Sequence, residues 1–256
     1  MSNLAKSRKF FSGIVPVLAF FALWEIGANY VPNGLISRPS RVFVAMAREF
    51  AGGELFRQTG ISLSRILLGF SVAAVGGIVF GFALGTFFRR MERFFLPFFQ
   101  VCEKLNPFAI IPVFMILFGV GTLEKAAVVF WASFWPVLFN TQFAAKAVDP
   151  QLMLAARSMG ANRAELFAGV ILPYTMPGIF TGLKLAVRVA FFMIIASEVI
   201  GASTGLGWFY VRSSALYKLD LMYGSILYIT LLSILANFIF ERLEKHFMSW
   251  KEDAFS

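Results

Sequence analysis

The sequence predicts an all-α integral membrane protein with about six transmembrane helices, and three observations lead there. Hydrophobic residues make up 59% of the 256-residue chain and charged residues only 14%, against roughly 25% charged in soluble domains. With 32 Phe and a mean hydropathy of +0.75, the polar surface is too small to clothe a globule in water. Several apolar runs reach the ~20 residues that a helix needs to cross the hydrocarbon core.

The spans follow in chain order. Lys6, Arg8 and Lys9 precede the run 13–31, which lacks a convincing small-x-small cleavage site, so it reads as a retained first span rather than a signal peptide. The second, 62–87, carries Gly69, Ala73, Gly77, Gly81 and Gly85 at every fourth position. Such a ridge lets another helix approach closely, either within the chain or across a dimer seam. The third, 94–120, is interrupted by Pro97, Pro107, Pro112 and Glu103–Lys104, and reads as a broken span or an interfacial helix followed by a short crossing. The remaining runs are 126–145, 177–200 and 221–241. Lys and Arg are in excess on one set of flanks, which places both termini in the cytoplasm. The organisation expected is a cytoplasmic segment 1–12, a membrane domain 13–241 with a cytoplasmic loop 148–173, and a cytoplasmic tail 242–256.

That loop breaks the apolar pattern. Asp149 before Pro150 is a helix start, a capping carboxylate followed by a first-turn proline. Leu152, Ala155, Ala156 and Met159 then share one helical face, and Gly160 supplies a left-handed stop. Asn162 with Glu165 resembles a capping box for a second helix, whose apolar side is Leu166, Phe167, Val170 and Ile171. Pro173 and Pro177 are expected to end it. The result is two short helices at a glycine elbow. The first shows a low-relief alanine face, with Arg157 and Arg163 suited to carboxylates. Such a pair either fits a groove on a partner or lies on the membrane surface.

Several chemistries are excluded. Cys102 is the single cysteine and His246 the single histidine, so neither an internal disulfide nor a His/Cys metal set can form. No Gly-x-x-x-x-Gly-Lys-Ser/Thr phosphate loop occurs, and "GIFTGLK" (178–184) lacks its spacing. The chain is expected to be no enzyme and to carry no cofactor. The net charge of +9 sits at the ends of apolar runs, a topogenic pattern rather than a nucleic-acid surface. Charges at depth are functional candidates because they are costly in lipid. Glu198, near the outer end of the fifth span, either lines a translocation path or is held by nearby amides and a cation such as Arg65. Lys184 and Arg188, one turn apart, either snorkel to headgroups or face a central path and favour an anion leaving inward. Glu25, Glu103 and Lys104 are expected to form structural pairs, or to lie nearer an interface than these span bounds place them. Trp208, Phe209 and Tyr210 read as interfacial anchors, or as a docking or gating surface.

The stretch "AARSMGANRAELFAGVILPYTMPG" resembles the cytoplasmic "EAA" signature of ABC importer permeases: Glu-Ala-Ala, three residues, Gly, nine residues, Ile-x-Leu-Pro. Ala155, Ala156, Gly160, Leu172 and Pro173 match at that spacing, with Leu154 in place of Glu and Val170 in place of Ile. Further stretches, "SLSRILLGF" (62–70), "FGVGTLEKA" (118–126), "EVIGASTGLGW" (198–208) and the closing "SW" (249–250), are similar to the nitrate/sulfonate/taurine branch. The resemblance implies a type I importer permease fold in a bacterial plasma (inner) membrane. It also implies two ABC ATPase subunits, an extracytoplasmic solute-binding protein and a second permease subunit, as a homodimer. Ala155, Ala156, Gly160, Leu172 and Pro173, with Arg157 beside them, would then couple the chain to the ATPase. A small anion such as a sulfonate, taurine or nitrate would move inward by alternating access. The alternative, an ATP-independent secondary transporter or channel, predicts paired inverted repeats, and no clear internal repeat is visible.

Overall fold

The computed structural model describes residues 2–31, 35–87 and 89–247, so the "SW" pair and the end of the tail lie outside the described residues. Described residues form helices and no strand. Four helical runs are long and apolar enough to cross a membrane: Glu54–Thr86, Thr122–Lys146, Arg163–Gly201 and Leu219–Lys245. They correspond to the second, fourth, fifth and sixth expected spans. The first expected span lies on α1 (Ser2–Tyr30), whose apolar part Val15–Tyr30 is shorter.

The helix α2 (Pro39–Ala51) is not among the elements the sequence predicts. Its start is capped from a distance: Glu25 of α1 accepts hydrogen bonds from the Ser40 amide at 3.1 Å and the Ser40 hydroxyl at 2.8 Å. Glu25 therefore satisfies an orphan helix N-terminus rather than standing bare in the first span. The next helix, α3 (Glu54–Phe82), runs on through a π turn at Ala83–Phe87.

The third expected span is a bent pair. The helices α4 (Arg89–Lys104) and α5 (Pro107–Phe118) meet at 94°. Between them Asn106 caps the new helix by accepting from the Phe108 amide at 3.0 Å, and Pro107 occupies the first turn, where it needs no donor. Glu103 and Lys104 form a 3.5 Å pair on the exposed outside of the bend.

At the centre stands α6 (Thr122–Lys146), with α3 on one side and α9 (Leu172–Gly201) on the other. The small-residue ridge of α3 is spent on this contact. A Cβ at Gly69 would lie 2.3 Å from the Ala126 carbonyl oxygen, and one at Gly81 would lie 2.6 Å from Thr141 Cβ. From the other side, a Cβ at Gly178 would meet Ala144 Cβ at 2.3 Å. Backbones in near contact maximise dispersion where lipid offers no hydrophobic drive. The ridge is thus packing within the chain, not a free seam for a second copy.

Candidate functional site

The loop after α6 builds as its local chemistry dictates. Asp149 Oδ1 accepts from the Gln151 amide at 2.8 Å and opens α7 (Pro150–Ser158). Gly160 turns the chain at φ +87°, a conformation that costs other residues a Cβ clash. The capping box is complete: Asn162 Oδ1 accepts from the Ala164 and Glu165 amides, and Glu165 Oε2 accepts from the Asn162 amide at 2.8 Å. It starts the single-turn α8 (Arg163–Leu166).

Here one expectation is corrected: Pro173 and Pro177 do not end the second helix. The chain runs from Arg163 to Gly201 as one helical rod, passing through a π turn at Phe167–Ile171 into α9. A proline clashes with the carbonyl four residues back and donates no hydrogen bond to it. For Pro173 that residue is Gly169, inside the π turn, where the wider hydrogen-bond spacing makes room.

The expected coupling residues divide into two groups. Ala156 points inward and is buried with Phe82, Leu166, Ile171 and Ile179, so it is an anchor rather than part of the outer face. Leu172 and Pro173 are half-buried at the junction with α9. Ala155, Arg157 and Gly160 are exposed. Around them Leu152, Leu154 and Met159 are 48%, 62% and 82% exposed, an apolar patch on a loop helix. Neither Arg157 nor Arg163 makes an ion pair among the described residues. Leu154, which replaces the family's glutamate, lies within this patch and makes it more apolar.

The opposite end of α9 lies about 40 Å away at 1.5 Å per residue. There Glu198 is fully buried. Its Oε1 accepts from Arg65 Nη1 and Ser62 Oγ, each at 2.8 Å, and its Oε2 accepts from the Gly207 amide at 2.9 Å. Arg65 also donates to the carbonyl and hydroxyl oxygens of Thr204, both at 2.9 Å. The carboxylate thus sits beneath the start of α10 (Leu206–Ala215), where helix amides and dipole favour negative charge. Gly205, at φ +109°, has no room for a side chain: a Cβ would lie 2.2 Å from Glu198 Oε1. Of the two readings of Glu198, the geometry shows the pair with Arg65. The carboxylate is enclosed by described residues of the chain.

Two residues of this knot carry little signal in the sequence. Position alone puts Lys125 on a flank of the fourth span, yet it and Glu124 are fully buried. Lys125 Nζ donates to Glu124 Oε2 at 2.6 Å and to the Gly201 carbonyl at 3.2 Å, tying the start of α6 to the end of α9. The one hint is two adjacent charges opening an apolar run. The stretches 62–70, 118–126 and 198–208 therefore meet at one place.

Lys184 and Arg188 face α11 (Leu219–Phe247). Lys184 Nζ pairs with Glu244 Oε2 at 2.7 Å, so its charge is answered within the chain. Arg188 Nε donates to Asn237 Oδ1 at 3.1 Å. The exposed Arg188 guanidinium borders an apolar cavity of about 470 Å³ lined by Phe191, Phe192, Ile195 and Ile234.

Residues 77–250 match the family model described as binding-protein-dependent transport system inner membrane component. The chain is 25% identical to the putative aliphatic sulfonates transport permease protein SsuC of Bacillus subtilis, over 93% of this chain and 87% of that one. It is 28% identical to the taurine transport system permease protein TauC of Escherichia coli, over 81% and 75%. Among solved structures, an inward-facing form of the MetNI methionine ABC transporter superposes with a TM-score of 0.59 at 16% identity. That match covers 75% of this chain and 94% of that one, and it shows the fold.

Proposed function

The chain belongs to the family of binding-protein-dependent transport system inner membrane components, the permeases of ABC importers, and on that premise we propose that α7 is the coupling element through which a separate ATPase drives it. The observation that carries this reading is the unbroken rod from Arg163 to Gly201, with an exposed apolar patch at its loop end and two arginines there that pair with no described residue. An apolar patch of this kind on an otherwise polar loop marks a docking surface. Ala155, Arg157 and Gly160 offer the contact. Ala156, Leu172 and Pro173 fix that contact to α9.

Closure of two ATPase subunits would move α7, and the rod would carry the motion along α9. At the far end, Glu198 and Lys125 bind α9 to α3, α6 and α10, so that end responds as a unit. Switching between two such arrangements is alternating access. The transported solute is a small anion of the sulfonate, taurine or nitrate class, delivered by an extracytoplasmic binding protein. Two copies of the chain form the pathway, both termini are cytoplasmic, and the membrane is a bacterial plasma membrane. Arg188, exposed beside the apolar cavity, is the cation best placed to meet that anion. Lys184, answered by Glu244, holds α11 in place.

Gly160→Val forces a branched side chain into the left-handed region, at a cost of about 1–3 kcal/mol confined to the elbow. In proteoliposomes containing the ATPase and the binding protein, uptake is expected to fall at least about tenfold, with weaker ATPase association. Wild-type uptake and ATPase association in that variant would overturn the reading.

A further inference from the structure

Between α2 and the corner that joins α10 to α11 lies a cleft of about 580 Å³. Arg38, the residue that caps α2, and Arg41 and Arg48, on one face of that helix, line one wall, and Lys218 lines the other. Only two carboxylates, Glu49 and Asp220, share the lining. None of the four cations makes an ion pair or a side-chain hydrogen bond among the described residues, in contrast to Arg65, Lys125 and Lys184. Glu25, whose field reaches Arg38 and Arg41, is already engaged by Ser40. Like charges held together in this way raise a positive potential that a concave wall focuses.

Tyr217, which also lines the cleft, takes its left-handed φ of +53° from the cap that closes α10, where the Lys218 amide donates to the Ser213 carbonyl and the Tyr217 amide to the Ser214 carbonyl. One further observation points to a ligand. The opposite side of α2 shows Phe43 and Phe50, each 53% exposed, with Phe43 packed on Phe21 of α1. A helix with arginines on one face and aromatic rings on the other lies in the interface plane, which sets the cleft at headgroup depth.

We propose that this cleft is an oxyanion-binding site that takes a phosphate or sulfonate group between Arg38, Arg41, Arg48 and Lys218. Guanidinium forks match tetrahedral oxyanions in a way a single ammonium does not. A concavity of this volume suits a small group, whereas a partner protein would need a broad face. The group comes either from a membrane lipid or from a free anion. The proposal does not depend on the transport reading, because its readout is binding by this chain alone.

The test uses the full chain, purified, with two probes. Inorganic sulfate is titrated by calorimetry in detergent, and retention of phosphatidylglycerol over phosphatidylcholine is read by native mass spectrometry after release from mixed-lipid nanodiscs. The double variant Arg41→Gln/Arg48→Gln is expected to weaken sulfate binding at least about tenfold, or to abolish the preference for the anionic lipid. Lys104→Gln, an exposed cation elsewhere, is expected to change neither. Loss in the sulfate arm alone identifies a free anion, and loss in the lipid arm alone identifies a headgroup. Should the double variant fold poorly, Arg41→Lys/Arg48→Lys keeps the charge, removes the forks and is expected to weaken the same probe by a smaller factor. If neither probe binds the wild type, or if the variants bind as the wild type does, the proposal is overturned. Variants that lose only the capture of an acidic soluble protein would overturn it as well.

Discussion

The two ends of α9 solve the problem of polar groups in opposite ways. At the Glu198 end the buried charges pair inside the chain, Glu198 with Arg65, Ser62 and the Gly207 amide and Glu124 with Lys125, while Arg65 Nε and Glu124 Oε1 stay buried without a hydrogen-bond partner among the described residues. At the α7 end the arginines pair with no described residue and the apolar side chains of Leu152, Leu154 and Met159 face outward. A buried charge that is left unpaired costs several kcal/mol, so the ion pairs of the first end have to form within the chain. The second leaves its apolar side chains outward. On the proposed reading, the first end is scaffold and the second is contact.

That contrast can be broken most forcefully at Glu198. Replacing it with Ala strands the buried Arg65 and is expected to lower stability by about 3–5 kcal/mol, read as a large drop in the melting temperature of the purified chain. A change below ~1 kcal/mol, within the range of exposed pairs, would mean that the knot is not a scaffold. Next in size, Ala156→Asp places an unmet charge in the anchor core and is expected to cost about 2–4 kcal/mol. Its exposed neighbour provides the sharpest comparison. Ala155→Asp is expected to leave stability within ~0.5 kcal/mol, as surface changes do, while uptake with the ATPase present falls. Equal melting of the two aspartate variants would erase the distinction between anchor and contact face.

The parts of the molecule legible in the sequence are those decided by neighbours along the chain. The Asp149 cap, the Gly160 elbow and the Asn162–Glu165 box each need only three or four residues, and each is present in the structure. Long apolar runs locate α3, α6, α9 and α11. What escapes depends on partners far away in sequence. Lys125 looks like a flanking charge until Glu124 and the Gly201 carbonyl, 76 residues on, enclose it. Ala156 shares a helical face with Ala155 by periodicity, yet Phe82 of α3 draws it inward. The prolines mislead for a related reason: the rule that ends a helix at Pro173 assumes an α-helical turn upstream, and the turn there is π. In α2, the arginines are visible in the sequence, but the capping carboxylate of Glu25 comes from another helix.

The glycine seams of α6 carry a mechanical consequence. Where Gly69, Gly81 and Gly178 bring main chains together, no flexible side chain is left between the helices to act as a cushion. Side chains can yield by changing rotamer; a peptide backbone in contact with another has no such give. The three central helices therefore cannot slip past one another, and a tilt imposed on one is felt by the others without slack. The subunit's middle behaves as a single plate, and any play in the machine is confined to its edges.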